Sequence, residues 1–214
     1  MCSLIIQGRA MNAVRYEQQL VYPSKILCVG RNYVEHIKEL NNSLPEQMVV
    51  FNKPNSSIAK QLHAYHQETL HYEAEICFLI RNGEYAGVGL GLDLTKRALQ
   101  SQLKQKQLPW ERAKAFDGSA VFSRFIDLTG IDLSALQLEL YINCVRVQCG
   151  GVAQMIFSPA QILSDLQSYT TLLDNDVVMT GTPQGVGEVH RGDVFLGRLK
   201  CADQTLIEVE WLAE

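Results

Sequence analysis

Hydrophobic and polar positions fall along this chain in short runs rich in Val, Ile, Leu and Phe, each closed by Gly, Asn, Asp or Pro. Runs of this kind read as strands. They predict strands over 4–8, 25–29, 48–52, 73–80, 86–94, 120–126, 136–147, 176–180, 193–199 and 205–211. Helical spacing interrupts them. Asn32 can cap a first helix, with Glu35 three residues later completing a capping box. Tyr33, Ile37 and Leu40 then form an apolar stripe. A second helix follows Thr95 and runs to Gln107, with Pro109 stopping it. A third covers 159–172, with Pro159 in its first turn after Ser158. Strands outnumber helices and do not alternate strictly with them, which disfavours a doubly wound parallel sheet. The expected fold is α+β, built on a largely antiparallel or mixed sheet system.

Composition narrows the function. The 214 residues are 47% hydrophobic and 20% charged, which excludes disorder as the main theme. Nineteen Lys+Arg against 23 Asp+Glu leave a net charge of −4, so no broad phosphate-binding surface and no nucleic-acid partner is expected. No apolar run approaches the ~18–20 residues needed to cross a bilayer. The start, Met1 to Arg9, lacks the charged region and long apolar core of a secretory signal. Six cysteines are scattered without a C-x-x-C pair, and Cys28 and Cys77 sit inside apolar runs. That usage points to reduced, buried thiols in a cytoplasmic protein.

The richest segment is His71-Tyr72-Glu73-Ala74-Glu75-Ile76-Cys77-Phe78-Leu79-Ile80. In a strand Glu73 and Glu75 share a face, and both faces turn apolar further along, which makes the strand interior. Two carboxylates at its mouth repel each other and lose hydration. A cation between them is the simplest remedy; a solvated strand end is the alternative, since Glu is mostly exposed. Asn82-Gly83 is suited to the turn of a hairpin. Antiparallel pairing would then bring Asp93, at the end of the next apolar run, back beside Glu73 and Glu75. Three such oxygen donors suit Mg²⁺ or Mn²⁺ better than zinc. His63, His66 and His71 share no strand face; the first two are expected in a loop and His71 beside the site.

His36 and Glu39 are three apart and therefore neighbours on one helix face. A carboxylate beside an imidazole fixes its tautomer and raises its basicity, equipping the pair to take a proton from water. The same spacing also occurs in surface pairs of small energetic value. The segment 25–29 leads into Gly30 and a helix, but neither G-x-G-x-x-G nor a P-loop pattern is present, which weakens a nucleotide-binding reading.

Together these phrases resemble the fumarylacetoacetate hydrolase family. They are Gly30-Arg31-Asn32-Tyr33 with His36 and Glu39, Phe51-Asn52-Lys53-Pro54, His71-Tyr72-Glu73-Ala74-Glu75, and Leu92-Asp93-Leu94-Thr95 with Arg97 and Gln100. Pro109-Trp110, Lys114-Ala115-Phe116-Asp117-Gly118-Ser119, Met155-Ile156-Phe157-Ser158-Pro159 and the segment from Thr180 to Gly187 follow in the same order. The resemblance covers roughly residues 20 to 212, and is greatest to the short acylpyruvate hydrolase and oxaloacetate decarboxylase-like members. It implies one catalytic domain over 1–214, with an N-terminal strand region at 1–20 and a mixed β-roll core. It also implies Mg²⁺ or Mn²⁺ on Glu73, Glu75 and Asp93, a homodimer, and a lid element carrying His36 and Glu39. Arg31, Arg97, Gln100, Lys114 and Thr182 would line the substrate pocket. The chain departs from its relatives in a shorter connection between the metal strands, in Val152 where many carry Thr, and in Cys144-Val145 at a turn usually written Asn-Gly-Glu.

The reaction this implies is hydrolysis of the C–C bond of an acylpyruvate, a 2,4-diketo acid. His36, oriented by Glu39, would activate water for attack at C4. Cleavage of C3–C4 leaves a pyruvate enolate, whose charge a divalent cation is suited to absorb. Lys114 would face the developing oxyanion, unless it is a solvated lysine. Backbone N–H groups around Gly181 and Thr182 would bind the carboxylate. Oxaloacetate decarboxylation and keto–enol tautomerisation fit the same metal site, and a non-catalytic binder of small acids is a further alternative.

Overall fold

Residues 11–39 and 45–214 are described by the computed structural model. The expected strand over 4–8, and Leu40 of the first helix, lie outside them. A short antiparallel hairpin comes first, β1 (Val14–Tyr16) with β2 (Gln19–Val21). Then follow β3 (Lys25–Gly30), α1 (Val34–Glu39), β4 (Val49–Pro54), β5 (Ile58–Ala59) and β6 (Leu70–Tyr72). The long strands β7 (Ala74–Arg81) and β8 (Glu84–Asp93) lead to β9 (Thr95–Lys96), α2 (Arg97–Gln105), α3 (Glu111–Lys114), β10 (Ala120–Phe122) and β11 (Ile126–Asp127). The remainder comprises β12 (Leu136–Ile142), β13 (Val145–Gly151), α4 (Pro159–Tyr169), β14 (Val177–Met179), β15 (Gly187–Glu188), β16 (Val194–Cys201) and β17 (Gln204–Leu212).

The fold is α+β with few helices, as the sequence predicts. The main sheet runs β4-β3-β14-β7-β8-β10-β5, with β11 also on β8. It is mixed: β14 is parallel to β3 and β10 to β5, and its other pairings are antiparallel. A second, antiparallel sheet has the order β13-β12-β16-β17, and a small one the order β15-β6-β9.

Strand β7 is buried on both faces. Ile76 and Phe78 join Leu90 and Leu92 of β8 in a core shared with Leu138, Leu140, Phe195 and Leu199 of the second sheet. Cys77 and Leu79 face the other way, against Ile26, Cys28, Met179 and Phe125. Burying one such side chain contributes about 1.5–3 kcal/mol. Helix α4 packs Ile162, Leu163 and Leu166 on Leu27, Val29 and Val178. Its cap forms as expected: Ser158 Oγ accepts from Gln161 N, and Gln161 Oε1 from Ser158 N. Among the described residues no helix is long and apolar enough to cross a membrane.

Several expectations need correction. The run 136–147 is two strands, folded at Asn143 and Cys144, which take φ of 49° and 69°. Cys is not a usual turn residue, so the apolar pattern hides the break. The run 120–126 is interrupted because Ser123 Oγ accepts from Leu90 N, while Phe125 N donates to Arg15 O. Asn32 does not cap α1. Its amide donates to Phe157 O and Thr180 O, and its Oδ1 accepts from Phe157 N, so tertiary bonds displace the local cap. Glu35 pairs with Lys38 instead. Cys28 and Cys77 are buried, but Cys144 and Cys149 are exposed.

Candidate functional site

The site begins with the β7–β8 hairpin. Asn82 and Gly83 take φ of 52° and 77° between the paired residues Arg81 and Glu84. Both central residues thus have the positive φ that a two-residue hairpin turn demands. The resulting register pairs Ala74 with Leu92, and Asp93 N donates to Glu73 O at 2.8 Å. Glu73, Glu75 and Asp93 are brought together, 5%, 2% and 1% exposed, each offering an oxygen within 4.8 Å of the others.

Cations surround two of these carboxylates. Lys114, at the end of α3, donates to Glu73 Oε2 and Asp93 Oδ2 at 2.7 Å each, and to Thr95 Oγ1 at 2.6 Å. Arg97 pairs with Glu73 Oε1. Burial opposes ionisation of Glu73, but Lys114 and Arg97 outweigh it and hold its carboxyl well below the usual range. Burial likewise opposes the charge on Lys114, yet Asp93 and Glu73 raise its pKa. Glu75 differs. Its Oε2 accepts from Gly181 N at 2.7 Å, but burial, Asp93 and Glu73 together push its carboxyl well above the usual range. Lys53, fully buried on β4, stands 2.8 Å from Asp93 Oδ1. Its ammonium donates elsewhere, to Lys114 O and to Ser119 O and Oγ. Asp93 Oδ1 is therefore buried with Lys53 as an ion-pair partner but without an aligned hydrogen-bond donor. A hard divalent cation satisfies such a set: three converging carboxylates, one of them under repulsion and one with an oxygen that lacks an aligned donor. The residues fit Mg²⁺ or Mn²⁺.

Beside them, His36 Nδ1 lies 3.1 Å from Glu39 Oε2, and Glu39 Oε1 accepts from Gly185 N at 3.0 Å. Gly185 has φ of 99°, and a Cβ there would stand 1.9 Å from Val147 O, so only glycine holds this amide in place. His36 and the three carboxylates line one cleft.

Residues 25–204 match the family described as fumarylacetoacetate (FAA) hydrolase C-terminal. The chain belongs to the fumarylacetoacetate hydrolase family. It is 38% identical over 193 residues to oxaloacetate tautomerase YcgM of Escherichia coli (strain K12), covering 81% of this chain and 88% of that protein. Among solved structures, a putative fumarylacetoacetate isomerase/hydrolase from Oleispira antarctica is 34% identical with a TM-score of 0.90, over 95% of this chain and 100% of the other. Fumarylpyruvate hydrolase from Pseudomonas aeruginosa, in complex with Mn²⁺ and pyruvate, is 27% identical with a TM-score of 0.86, over 99% and 100%.

This fumarylacetoacetate hydrolase-family cleft also gathers Arg31, Arg97, Gln100 and Thr182. Arg97 donates to Gln100 Oε1 at 2.8 Å. Three of the expected residues are bonded to protein atoms. The Gly181 amide donates to Glu75 Oε2. The Thr182 hydroxyl donates to Ala74 O and accepts from Gln148 Nε2. Lys114 has its three donors engaged by protein oxygens and balances the carboxylates. In each case a buried protein acceptor takes the donor first. His71 points to Glu188, 3.9 Å away, and His63 and His66 border a separate surface pocket with Asp117.

Sequence reasoning gave no site role to four residues here. Lys53 follows Asn52 at the end of β4, and its only signal was its place in the phrase Phe51-Asn52-Lys53-Pro54. Gln148, on β13, closes both sides of the backbone between the glutamates: its Oε1 accepts from Ala74 N, while its amide holds Thr182 and Pro183. Lys104 and Trp110 line the cleft wall. Lys104 follows Arg97 and Gln100 at i+7 and i+4, a spacing that places them on one helix face.

Proposed function

We propose that this chain is a divalent-metal-dependent tautomerase that interconverts the keto and enol forms of oxaloacetate. The observation that carries the reading is the cluster Glu73, Glu75 and Asp93 on the same cleft as the His36–Glu39 pair. The likeness to an oxaloacetate tautomerase at 38% identity supports it.

Glu73, Glu75 and Asp93 would hold Mg²⁺ or Mn²⁺, which when bound supplies a Lewis acid for the oxygens of a 2-oxo acid. The chain's own residues do the rest. Glu39 accepts the Nδ1–H of His36, which leaves Nε2 as the basic nitrogen. His36 Nε2 takes the proton from C3 and returns a proton at the 2-oxo oxygen, so the two tautomers interconvert with no net loss of atoms or charge. Gly185 N holds Glu39 against His36 throughout. Arg31 and Arg97 supply positive charge for the substrate carboxylates.

A second reading is C–C hydrolysis of an acylpyruvate. The same His36–Glu39 pair favours it, since a base of this kind also activates water, and the likeness to a fumarylpyruvate hydrolase is in keeping. Enol absorbance of oxaloacetate, followed with Mg²⁺ and then with chelator, tests the first reading, and release of pyruvate from acylpyruvates tests the second. Metal-dependent enol decay that is lost in His36→Asn is the expected result. Enol decay unaffected by His36→Asn and by chelator overturns the assignment.

A further inference from the structure

Positive charge on this cleft exceeds what the carboxylates and a bound small acid with one charge would balance. Lys53, Lys114 and Arg97 are each in contact with Glu73 or Asp93. Arg31 and Lys104 are not: among the described residues neither makes an ion pair, and Arg31 Nε is buried without a hydrogen-bond partner. Both are held on one aromatic ring. Lys104 Nζ lies 4.8 Å from the centroid of Trp110, and the Arg31 guanidinium carbon 5.9 Å from it. Arg31 takes φ of 58°, a left-handed conformation that a non-glycine residue adopts only under constraint.

Position along α2 separates Lys104 from the metal-ligand end. Arg97 reaches Glu73, and Lys104 is seven residues further on the same helix face, about 10 Å along the axis. Trp110 provides an apolar platform against which an ammonium and a guanidinium keep their charge and orientation. Two unpaired cations so placed recognise an anion at the far end of a ligand whose near end lies by Glu73.

We propose that Lys104 and Arg31, carried on Trp110, form a distal carboxylate subsite that selects dicarboxylic 2-oxo acids over monocarboxylic ones. This rests on the 2-oxo acid reading above and extends it to the substrate's second charge. Lys104 is the specificity-determining residue, because it touches neither the three carboxylates nor the His36–Glu39 pair. Burial first, then Arg31 and Arg97, lower its ammonium to about 8, a shift that a bound carboxylate opposes.

The test compares Lys104→Met and Lys104→Arg with the unaltered enzyme, loaded with Mg²⁺. Two probes are used: oxaloacetate, whose fourth carbon is the second carboxylate, and oxalate, which is too short to extend from the metal end to Trp110. Losing one charged hydrogen-bond partner is expected to raise the KM for oxaloacetate about ten- to a hundredfold in Lys104→Met, with Lys104→Arg restoring most of it. Oxalate inhibition is expected to hold its Ki in both variants. Equal weakening of oxaloacetate and oxalate, or no change in either, overturns the subsite. Failure of oxalate to bind the unaltered protein overturns the 2-oxo acid reading itself, so the two failures are distinguishable.

Discussion

Glu75 Oε2 accepts the N–H of Gly181 at 2.7 Å, and among the described residues no cationic side chain stands within ion-pair range of that carboxylate. Glu75 is therefore a buried acid facing two other acids with one amide for support. Glu75→Gln retains an oxygen for Gly181 and removes the repulsion. The thermal midpoint of the metal-free protein is expected to rise. Mn²⁺ affinity, followed by calorimetric titration, is expected to fall at least about a hundredfold, since even the partners of metal ligands contribute 10- to 100-fold. A rise in one quantity with a fall in the other is the signature of a ligand kept at the expense of stability.

Glu39 acts on His36 through Nδ1. Glu39→Gln keeps the shape but loses the charge that holds the imidazole as a base. The enol-decay kcat is expected to fall by about 10²-fold or more, while Mn²⁺ binding is retained. Circular dichroism and metal titration on the same sample check that the fold and the ion site persist.

Lys53 is the structural counterweight of Asp93. It is fully buried, and its ammonium ties β4 to the turn after α3 through Lys114 O and Ser119. Lys53→Met leaves a buried carboxylate short of one cation and two carbonyls short of a donor. Urea denaturation of the metal-free protein is expected to show a loss of about 3–5 kcal/mol.

Asp176 gives the protein an acid limb. Its carboxylate is buried, yet bonds from Lys25 Nζ at 2.6 Å, Ser24 Oγ at 2.6 Å and Leu173 N at 2.9 Å outweigh the burial and hold its pKa below the ordinary value. A carboxyl depressed in the folded state stabilises above its unfolded pKa of about 3.9 and loses that contribution as the pH falls through its folded pKa. Asp176→Asn is expected to cost about 1–3 kcal/mol at neutral pH and to flatten the decline in stability below pH 4, measured by urea midpoints across that range.

Lys104 carries the reverse sign. Burial, Arg31 and Arg97 lower its ammonium to about 8, with Lys114 in the same sense and Glu73 opposing. The lysine is charged below that value and neutral above it. The KM for oxaloacetate is expected to rise as the pH passes 8, and Lys104→Arg, which does not titrate there, to remove that rise.

Local pattern was enough for the heart of the site. Alternation placed Glu73 and Glu75 together, and Asn82-Gly83 supplied the one turn that returns Asp93 to them, because side-chain direction along a strand and the φ of a two-residue turn are properties of neighbouring residues. The α+β class followed from the same short runs. Where local and distant partners compete, the sequence misleads: Asn32 reads as a helix cap, but Phe157 and Thr180 claim its amide. Lys114 meets Glu73 across 41 positions, Lys53 meets Ser119 across 66, Gln148 meets Ala74 across 74, and Gly185 meets Glu39 across 146. Only the closed sheets bring such groups within bonding range, and a buried donor then takes whichever acceptor the packing leaves beside it, a choice no stretch of neighbouring residues encodes.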